Sequence, residues 1–242
     1  MTNNRTSLRN RVRSYLERRL DVPTIPSALD RLLGGGFAPR LVFDIGAYHG
    51  EFADLCLQRW PTADVSCFEP AAKEAQYLIQ RFGIDERVRV FSTLVGARER
   101  TDVILHLNDT GSSVLADHSG VQRPTQACTM RTVDAVVVEE HADRAPDLLK
   151  IDVQGYELDV LEGAEHSLAR ISAILVETNL IDVYEGAALL PKLMAWLDAR
   201  GWVPYDVCGL IRRPLDRALW QADFVFVQRE HELRRDKRWG VK

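Results

Sequence analysis

The sequence has no apolar run long enough to cross a bilayer, and its first twenty residues are polar and arginine-rich, without the apolar core of a secretory leader. It therefore reads as a protein with no membrane span, and a cytoplasmic location is expected. Cysteine is scarce: Cys56, Cys67, Cys128 and Cys208 stand far apart, with neither C-x-x-C nor Cys/His ligand spacing. Buried free thiols are expected, not disulfides or structural zinc. An excess of one charge is also missing, since 31 Lys and Arg face 35 Asp and Glu for a formal net charge of -4. That balance disfavours a nucleic-acid partner, whose phosphates call for a basic surface. No G-x-S-x-G elbow, P-loop or H-E-x-x-H occurs, so hydrolase, NTPase and metalloprotease readings have no support.

What is present is enough core for one large domain, with 46% hydrophobic residues in 242. Residues 1–36 read as an N-terminal helical arm, in which Arg5, Arg9, Arg11, Arg13, Arg18 and Arg19 are interleaved with Leu8, Val12, Tyr15, Leu16 and Leu20 at helical spacing. Pro23 and Pro26 are predicted to end this helix, and Gly34–Gly36 to form a flexible approach to the body. An arginine face over a packed leucine stripe is the simplest account. A substrate lid or a homodimer contact is the alternative. Residues 37–232 form the main domain and 233–242 a tail.

From Arg40 onward, short apolar runs alternate with helical stretches, the signature of a parallel sheet covered on both faces. Strands are predicted near 40–45, 64–69, 88–93, 147–152, 172–178, 202–208 and 222–229. Residues 94–132 break the pattern and read as an insertion at the ligand end of the sheet. In it, "TDVILHL" and "CTMRTVD" look like added strands, and Asn108 to Gly120 like a polar loop over the site.

The first strand runs into "VFDIGAYHGEF", where Asp44, Gly46 and Gly50 punctuate the turn into a helix. Glycine lets backbone approach a ligand closely, but the turn lacks the full G-x-G-x-x-G, and an acid precedes its glycines. That suits a cationic, amino-acid-bearing ligand better than a pyrophosphate. The second strand ends in "CFEP", placing Glu69, followed by Pro70, at the interval where an acid reaches a ribose diol. Such an acid can also simply cap the next helix. The third strand ends in "FSTLVG", putting Thr93 beside the base of such a ligand.

Together with "GSSVL", "RTVD", "LLKIDVQGYELDVLEGA", "ILVET" and "DFVFVQ", these stretches resemble the FkbM family of S-adenosylmethionine-dependent methyltransferases over roughly residues 40 to 230. The resemblance implies an α/β, class I methyltransferase (Rossmann-like) three-layer sandwich, with a mostly parallel seven-stranded sheet and one antiparallel strand. It also implies methylation of a hydroxyl oxygen. By position, Asp44, Gly46, Ala47 and Gly50 would cradle the methionine part of S-adenosyl-L-methionine, and Glu69 would hold the ribose. Tyr48 stands among them where the family commonly has Asn.

Asp152, in "KIDVQGYE", ends the fourth strand beside the glycine turn and is the main catalytic candidate. It could accept a hydroxyl proton, help bind the methionine amino group or ligate a cation. Glu157 is expected in the first turn of the next helix, favoured by the helix dipole. Glu177 and Asn179 alternate toward the same crevice. With Asp152 they make an oxygen set of the kind Mg²⁺ uses, although the same acids could instead bond a sugar's hydroxyls, and no metal site is assigned. His49, inside the turn, is a second candidate base or orienting partner alongside Glu177. The expected activity is O-methylation of a sugar, glycolipid or secondary metabolite. The alternatives are a nicotinamide-dependent oxidoreductase, a non-catalytic binding module of the same fold and, less favoured, RNA methylation.

Overall fold

The computed structural model describes residues 19–240. Nearly all of the arginine-rich helix expected at the N-terminus lies outside the described residues. Seven strands form one sheet: β1 (Leu41–Ile45), β2 (Asp64–Phe68), β3 (Val88–Phe91), β7 (Leu148–Ile151), β8 (Ala173–Asn179), β9 (Trp202–Arg212) and β10 (Leu219–Gln228). Their order is β3-β2-β1-β7-β8-β10-β9. Only β10 runs against its neighbours, pairing antiparallel with both β8 and β9. This is the mostly parallel, seven-stranded arrangement with one antiparallel strand that the sequence led us to expect.

β1, β7 and β8 are buried along their whole length, so alternate residues feed two separate cores. Val42, Leu148, Ala173 and Leu175 face one side, packed with Phe52, Ala53 and Cys56 of α2 (Glu51–Arg59) and Leu78 of α3 (Ala72–Phe82). Phe43, Ile45, Leu149, Ile151, Ile174 and Val176 face the other. There they meet Val136 of α4 (Val133–His141), Leu161 of α5 (Glu157–Glu162) and Leu193 of α6 (Leu190–Asp198). The same parity decides where charge goes. Asp44 shares the face of Val42, Lys150 that of Leu148, and Glu177 that of Leu175, while the register sets Asp44 directly beside Lys150. Polar groups thus gather on the first face at the carboxyl ends of three adjacent strands.

Two features differ from the sequence reading. Pro26 does not end a helix but sits in the first turn of one, α1 (Ile25–Gly34), where its missing N–H has no partner to lose. Thr24 caps that turn, accepting from Ser27 N at 3.2 Å. Ala28, Leu29 and Leu32 of α1 are buried in the first core, so this half of the arm packs as part of the body. Second, the chain leaves the main sheet at Phe91, two residues early, and Leu94–Val95 (β4) joins the insertion. There β5 (Arg100–His106) and β6 (Thr125–Arg131) complete a three-stranded sheet in the order β4-β6-β5, with its own small core of Leu94, Val103, Leu105 and Met130. The four cysteines are free and buried, and no helix among the described residues is long and apolar enough to cross a membrane.

Candidate active site

A cavity of about 280 Å³ opens where β1, β2 and β7 end, walled by the turn after β1, by α1 and α2, and by the insertion. Gly46 has φ +77°, and a Cβ there would lie 1.8 Å from Asp152 O. The first turn can therefore pass the β7 end only as glycine. Its backbone is held by Phe68 O, which accepts from Gly46 N and Ala47 N, each at 3.0 Å. Gly46, Ala47 and Tyr48 line the cavity. Gly50 lies outside the lining and serves as the left-handed N-cap of α2.

Glu69 also lines the cavity, beside Pro70. Its carboxylate accepts from Tyr48 N at 2.8 Å and Ala71 N at 2.9 Å. Burial pushes its pKa up to about 6, against the pull of those two N–H groups. A carboxylate has roughly four lone-pair sites, so two remain for a ligand's hydroxyls. Glu69 is thus both the cap that a bland reading predicts and an open acceptor.

At the centre lies a cation that sequence reasoning missed. Lys150 lines the cavity but is buried, with Nζ 3.0 Å from Asp44 Oδ1 and 3.6 Å from Asp152 Oδ2, and it donates to Gly46 O at 2.6 Å. Burial works against its charge, but Asp44, Asp152 and Glu177 outweigh burial and hold its pKa above the ordinary lysine value. Asp44 is completely buried and does not line the cavity. Burial raises its pKa despite Lys150, and among the described residues neither of its carboxylate oxygens has another partner. Asp44, expected to touch the ligand, instead lies behind Lys150, which lines the cavity in its place. The signal was the lone charge in the apolar run "LLKI".

Asp152 lines the cavity with its side chain 40% exposed. Its Oδ1 accepts from Gln154 Nε2 at 2.9 Å. Glu177 and Asn179 are buried and do not line the cavity. Glu177 Oε2 accepts from Gln154 Nε2 at 2.8 Å and Gln221 Nε2 at 2.6 Å. Burial first, then Asp152 and Glu157, raise the Glu177 pKa well above the carboxylate range. Asn179 Nδ2 lies 3.4 Å from Glu157 Oε2 and its Oδ1 3.3 Å from Gln221 Nε2. The three residues considered as an Mg²⁺ set are therefore laced together by glutamine amides, with Gln154 bridging Asp152 and Glu177. Glu177 is a support behind the site, not a group facing it.

Two further expectations change. His49 lies outside the lining, its ring stacked on Tyr48 at 3.8 Å and tilted against Tyr77 at 4.5 Å. Thr93 is outside as well, its hydroxyl turned to Thr129 O at 3.0 Å and Leu94 O at 3.1 Å, where β4 meets β6. Glu157 opens α5, in its first turn as expected, and is fully buried there. It accepts from Gly155 N at 2.8 Å, and burial lifts its pKa to about 7.

The loop 108–120 roofs the cavity. Asp109, Ser113 and Val114 line it. The loop is tied down at three places: Tyr48 Oη donates to Asp109 Oδ1 at 2.6 Å, Ser113 Oγ donates to Gln154 O at 2.8 Å, and Asp117 bridges Tyr184. Gln154, Tyr184 and Gln221 were also missed. Only Gln154, inside the conspicuous "DVQG", carried any local signal.

Residues 44–203 match the Methyltransferase FkbM domain. The chain is 28% identical over 168 residues to the 2-O-methyltransferase NoeI of Sinorhizobium fredii, covering 64% of this chain and 69% of that protein. It is 31% identical over 185 residues to the AMB antimetabolite synthetase AmbE of Pseudomonas aeruginosa, covering 61% of this chain but only 9% of AmbE. Among solved structures, a methyltransferase FkbM from Methylobacillus flagellatus superposes with a TM-score of 0.51 at 18% identity, over 78% of this chain and 43% of that one, a likeness of fold. The family match spans most of the chain, including the β1 turn, Glu69 and the β7 end, and the chain belongs to the FkbM family of methyltransferases.

Proposed function

We propose that the protein transfers a methyl group from S-adenosylmethionine to a hydroxyl oxygen of a sugar, glycolipid or secondary metabolite. The observation that carries this reading is the convergence of the glycine turn, Glu69 and Asp152 on one cavity. The residues present fit the cofactor. Gly46, Ala47 and Tyr48 offer backbone that a ligand can approach, Glu69 has lone pairs free for ribose hydroxyls, and Leu94, Leu105 and Val114 offer an apolar wall to a base. An acid-lysine-acid set beside the turn, buried at Asp44 and Lys150 and open at Asp152, suits the charged amino-acid end. S-adenosylmethionine supplies an electrophilic methyl on a positively charged sulfur.

The chain's own work is then mostly placement. Asp152 has one oxygen bonded by Gln154 and turns the other toward Lys150, leaving lone pairs to accept a hydroxyl proton and align the acceptor. The roof and the apolar wall exclude water from the acceptor oxygen. The name of NoeI, a 2-O-methyltransferase, supports oxygen as the atom methylated.

The test is a thermal shift with S-adenosylhomocysteine, followed by transfer of labelled methyl from S-adenosylmethionine to a panel of monosaccharides, oligosaccharides and phenols. Stabilisation and label in an alkali-stable ether are expected. Absence of any shift would sink the cofactor assignment, and binding without transfer to any acceptor would favour a non-catalytic module. Label appearing only on nitrogen or carbon would overturn the oxygen assignment.

A further inference from the structure

Gln154 stands where the reacting end of the cavity meets everything behind it. It lines the cavity and is buried, and its backbone has φ +53°, a left-handed conformation that residues other than glycine adopt sparingly. Its side chain is committed at both ends. Nε2 carries two protons and gives one to Asp152 Oδ1 at 2.9 Å and one to Glu177 Oε2 at 2.8 Å. Oε1 accepts from Tyr184 Oη at 3.1 Å, with Gln221 Nε2 at 3.4 Å. An amide can be turned end for end, but here the neighbours forbid it: the exchange would aim Oε1 at two carboxylates and Nε2 at two donors. The backbone is held as firmly, since Ser113 of the roof donates to Gln154 O at 2.8 Å.

We propose that Gln154 is a positioning residue for Asp152, an amide clamp that fixes the orientation of the reacting carboxylate by tying it to the buried Glu177 and to the roof through Tyr184 and Ser113. This rests on the reading of Asp152 as the group that meets the acceptor hydroxyl. The clamp answers a need that the strand ends create. The parity of β7 and β8 points Asp152 and Glu177 the same way, and two acids side by side, both rich in acceptor lone pairs, keep one mutual orientation only where a donor stands between them. Lys150 reaches Asp152 but sits on the far side, beside Asp44. Gln154 supplies the missing donors and, being neutral, leaves the carboxylate of Asp152 its charge. Tyr184 extends the arrangement outward through its backbone bridge to Asp117 of the roof, while its one hydroxyl proton can go either to Gln154 Oε1 or to Gly111 O, 3.2 Å away.

The experiment uses the full chain as wild type, Gln154→Leu, Tyr184→Phe and the double variant. Affinity for S-adenosylhomocysteine is read by calorimetry, the Asp152 rotamer by crystallography, and kcat and KM with the best acceptor of the panel above. For Gln154→Leu the expected result is a displaced Asp152 carboxylate, kcat lower by about tenfold or more, and S-adenosylhomocysteine affinity within about twofold of wild type. Tyr184→Phe should act in the same direction more weakly, and the double variant should be no worse than Gln154→Leu alone, because Tyr184 works through the amide. An unmoved Asp152 in a folded Gln154→Leu protein overturns the proposal. So does an unchanged kcat, or a loss confined to cofactor affinity. If Gln154→Leu does not fold, Tyr184→Phe decides by the same readouts. The rotamer needs no acceptor, so failure of the clamp and failure of the proposed reaction are told apart.

Discussion

Asp44 and Asp152 end neighbouring parallel strands, face the same side of the sheet and share one ammonium, yet Asp44 is sealed while the Asp152 side chain is 40% exposed. The difference comes from depth in the register and from the two turns. After β1 the chain folds tightly back at Gly46 and α2 closes over Asp44, with Phe52 packed on that face. After β7 it runs outward through Val153 and Gln154, and Gly155 at φ +101° turns it into α5, leaving Asp152 at the cavity edge. Asp44 lies level with Lys150, inside its strand, whereas Asp152 lies two residues further along, past the end of its own, so one residue type becomes a buried counter-ion in one case and a reaching carboxylate in the other. Lys150 between them makes the division stable, since it neutralises the acid that water cannot reach.

The sharpest way to break this comparison is to remove the shared cation. Lys150→Met should cost about 3–5 kcal/mol of stability at neutral pH, because Asp44 is left buried without a partner. The sign with pH follows from Asp44, whose folded pKa is already raised by burial and would rise further without Lys150. An acid raised on folding loses stability as pH climbs from its unfolded toward its folded value, so the deficit should be smaller at about pH 5 than at about pH 8. Urea unfolding at the two pH values measures it. A loss that is equal at both would mean that Asp44 is not the group left stranded.

Next in size is the exposed acid. Asp152→Asn should leave the fold and most of the cofactor affinity intact while lowering kcat by roughly 100-fold, the range of general base catalysis. Steady-state kinetics with calorimetry on the same protein separates the two effects. Near-normal turnover would return the β7 end to architecture, and the contrast between the two acids would then be one of exposure alone.

These two acids also show what could be read from the sequence. The sheet was legible because β1, β7 and β8 are apolar on both faces and acids mark their ends. Glu69 was legible because its spacing from the glycine turn is fixed by one β-α-β unit. What could not be read was which strand-end groups meet the cavity. Glu177 has the alternation of a site residue, but Gln154 and Gln221, from distant parts of the chain, close over it. His49 sits within a motif, yet the left-handed backbone of Tyr48, φ +44°, precedes it and its ring stacks outside. Thr93 was counted with the third strand, but the insertion's β6 drew it away. Pro26 was read as a stop, although its place just after Thr24 was a start signal. Partners remote in sequence decided the cases of Glu177 and Thr93, and periodicity is blind to them.

Glu69 sharpens the comparison from the cofactor side, as a strand-end acid that is buried like Asp44 but open like Asp152. Glu69→Ala should weaken S-adenosylhomocysteine binding by about 1.5–3 kcal/mol, the worth of hydrogen bonds to a charged group. Its raised pKa of about 6 adds a signature. The ionised carboxylate is the stronger acceptor, so wild-type affinity should rise as pH increases through about 6, and Glu69→Gln should flatten that rise. Calorimetry across the range decides, and an unchanged profile in Glu69→Gln would leave Glu69 as a cap of the next helix.

The smallest expected effect lies at the rim, where Tyr48 and the roof meet. The Tyr48 hydroxyl donates to Asp109, and this bond is among the ties that hold the loop 108–120 over the cavity. Both groups are exposed, so Tyr48→Phe should cost only about 0.5–1.5 kcal/mol locally, with no change in the global unfolding midpoint. The ring would keep its stack on His49, so the glycine turn itself should hold. Hydrogen exchange is the suitable measurement. Amides near Asp109 to Ser112 should exchange faster in Tyr48→Phe, and S-adenosylhomocysteine should restore part of their protection if the roof closes on the ligand. His49→Ala is the control, since the ring makes no bond to the roof and should change exchange there little. Equal exchange in all three proteins would show that Ser113 and the Tyr184 bridge carry the roof alone. The residue at position 48 would then serve the site through its backbone N–H to Glu69 and not through its side chain.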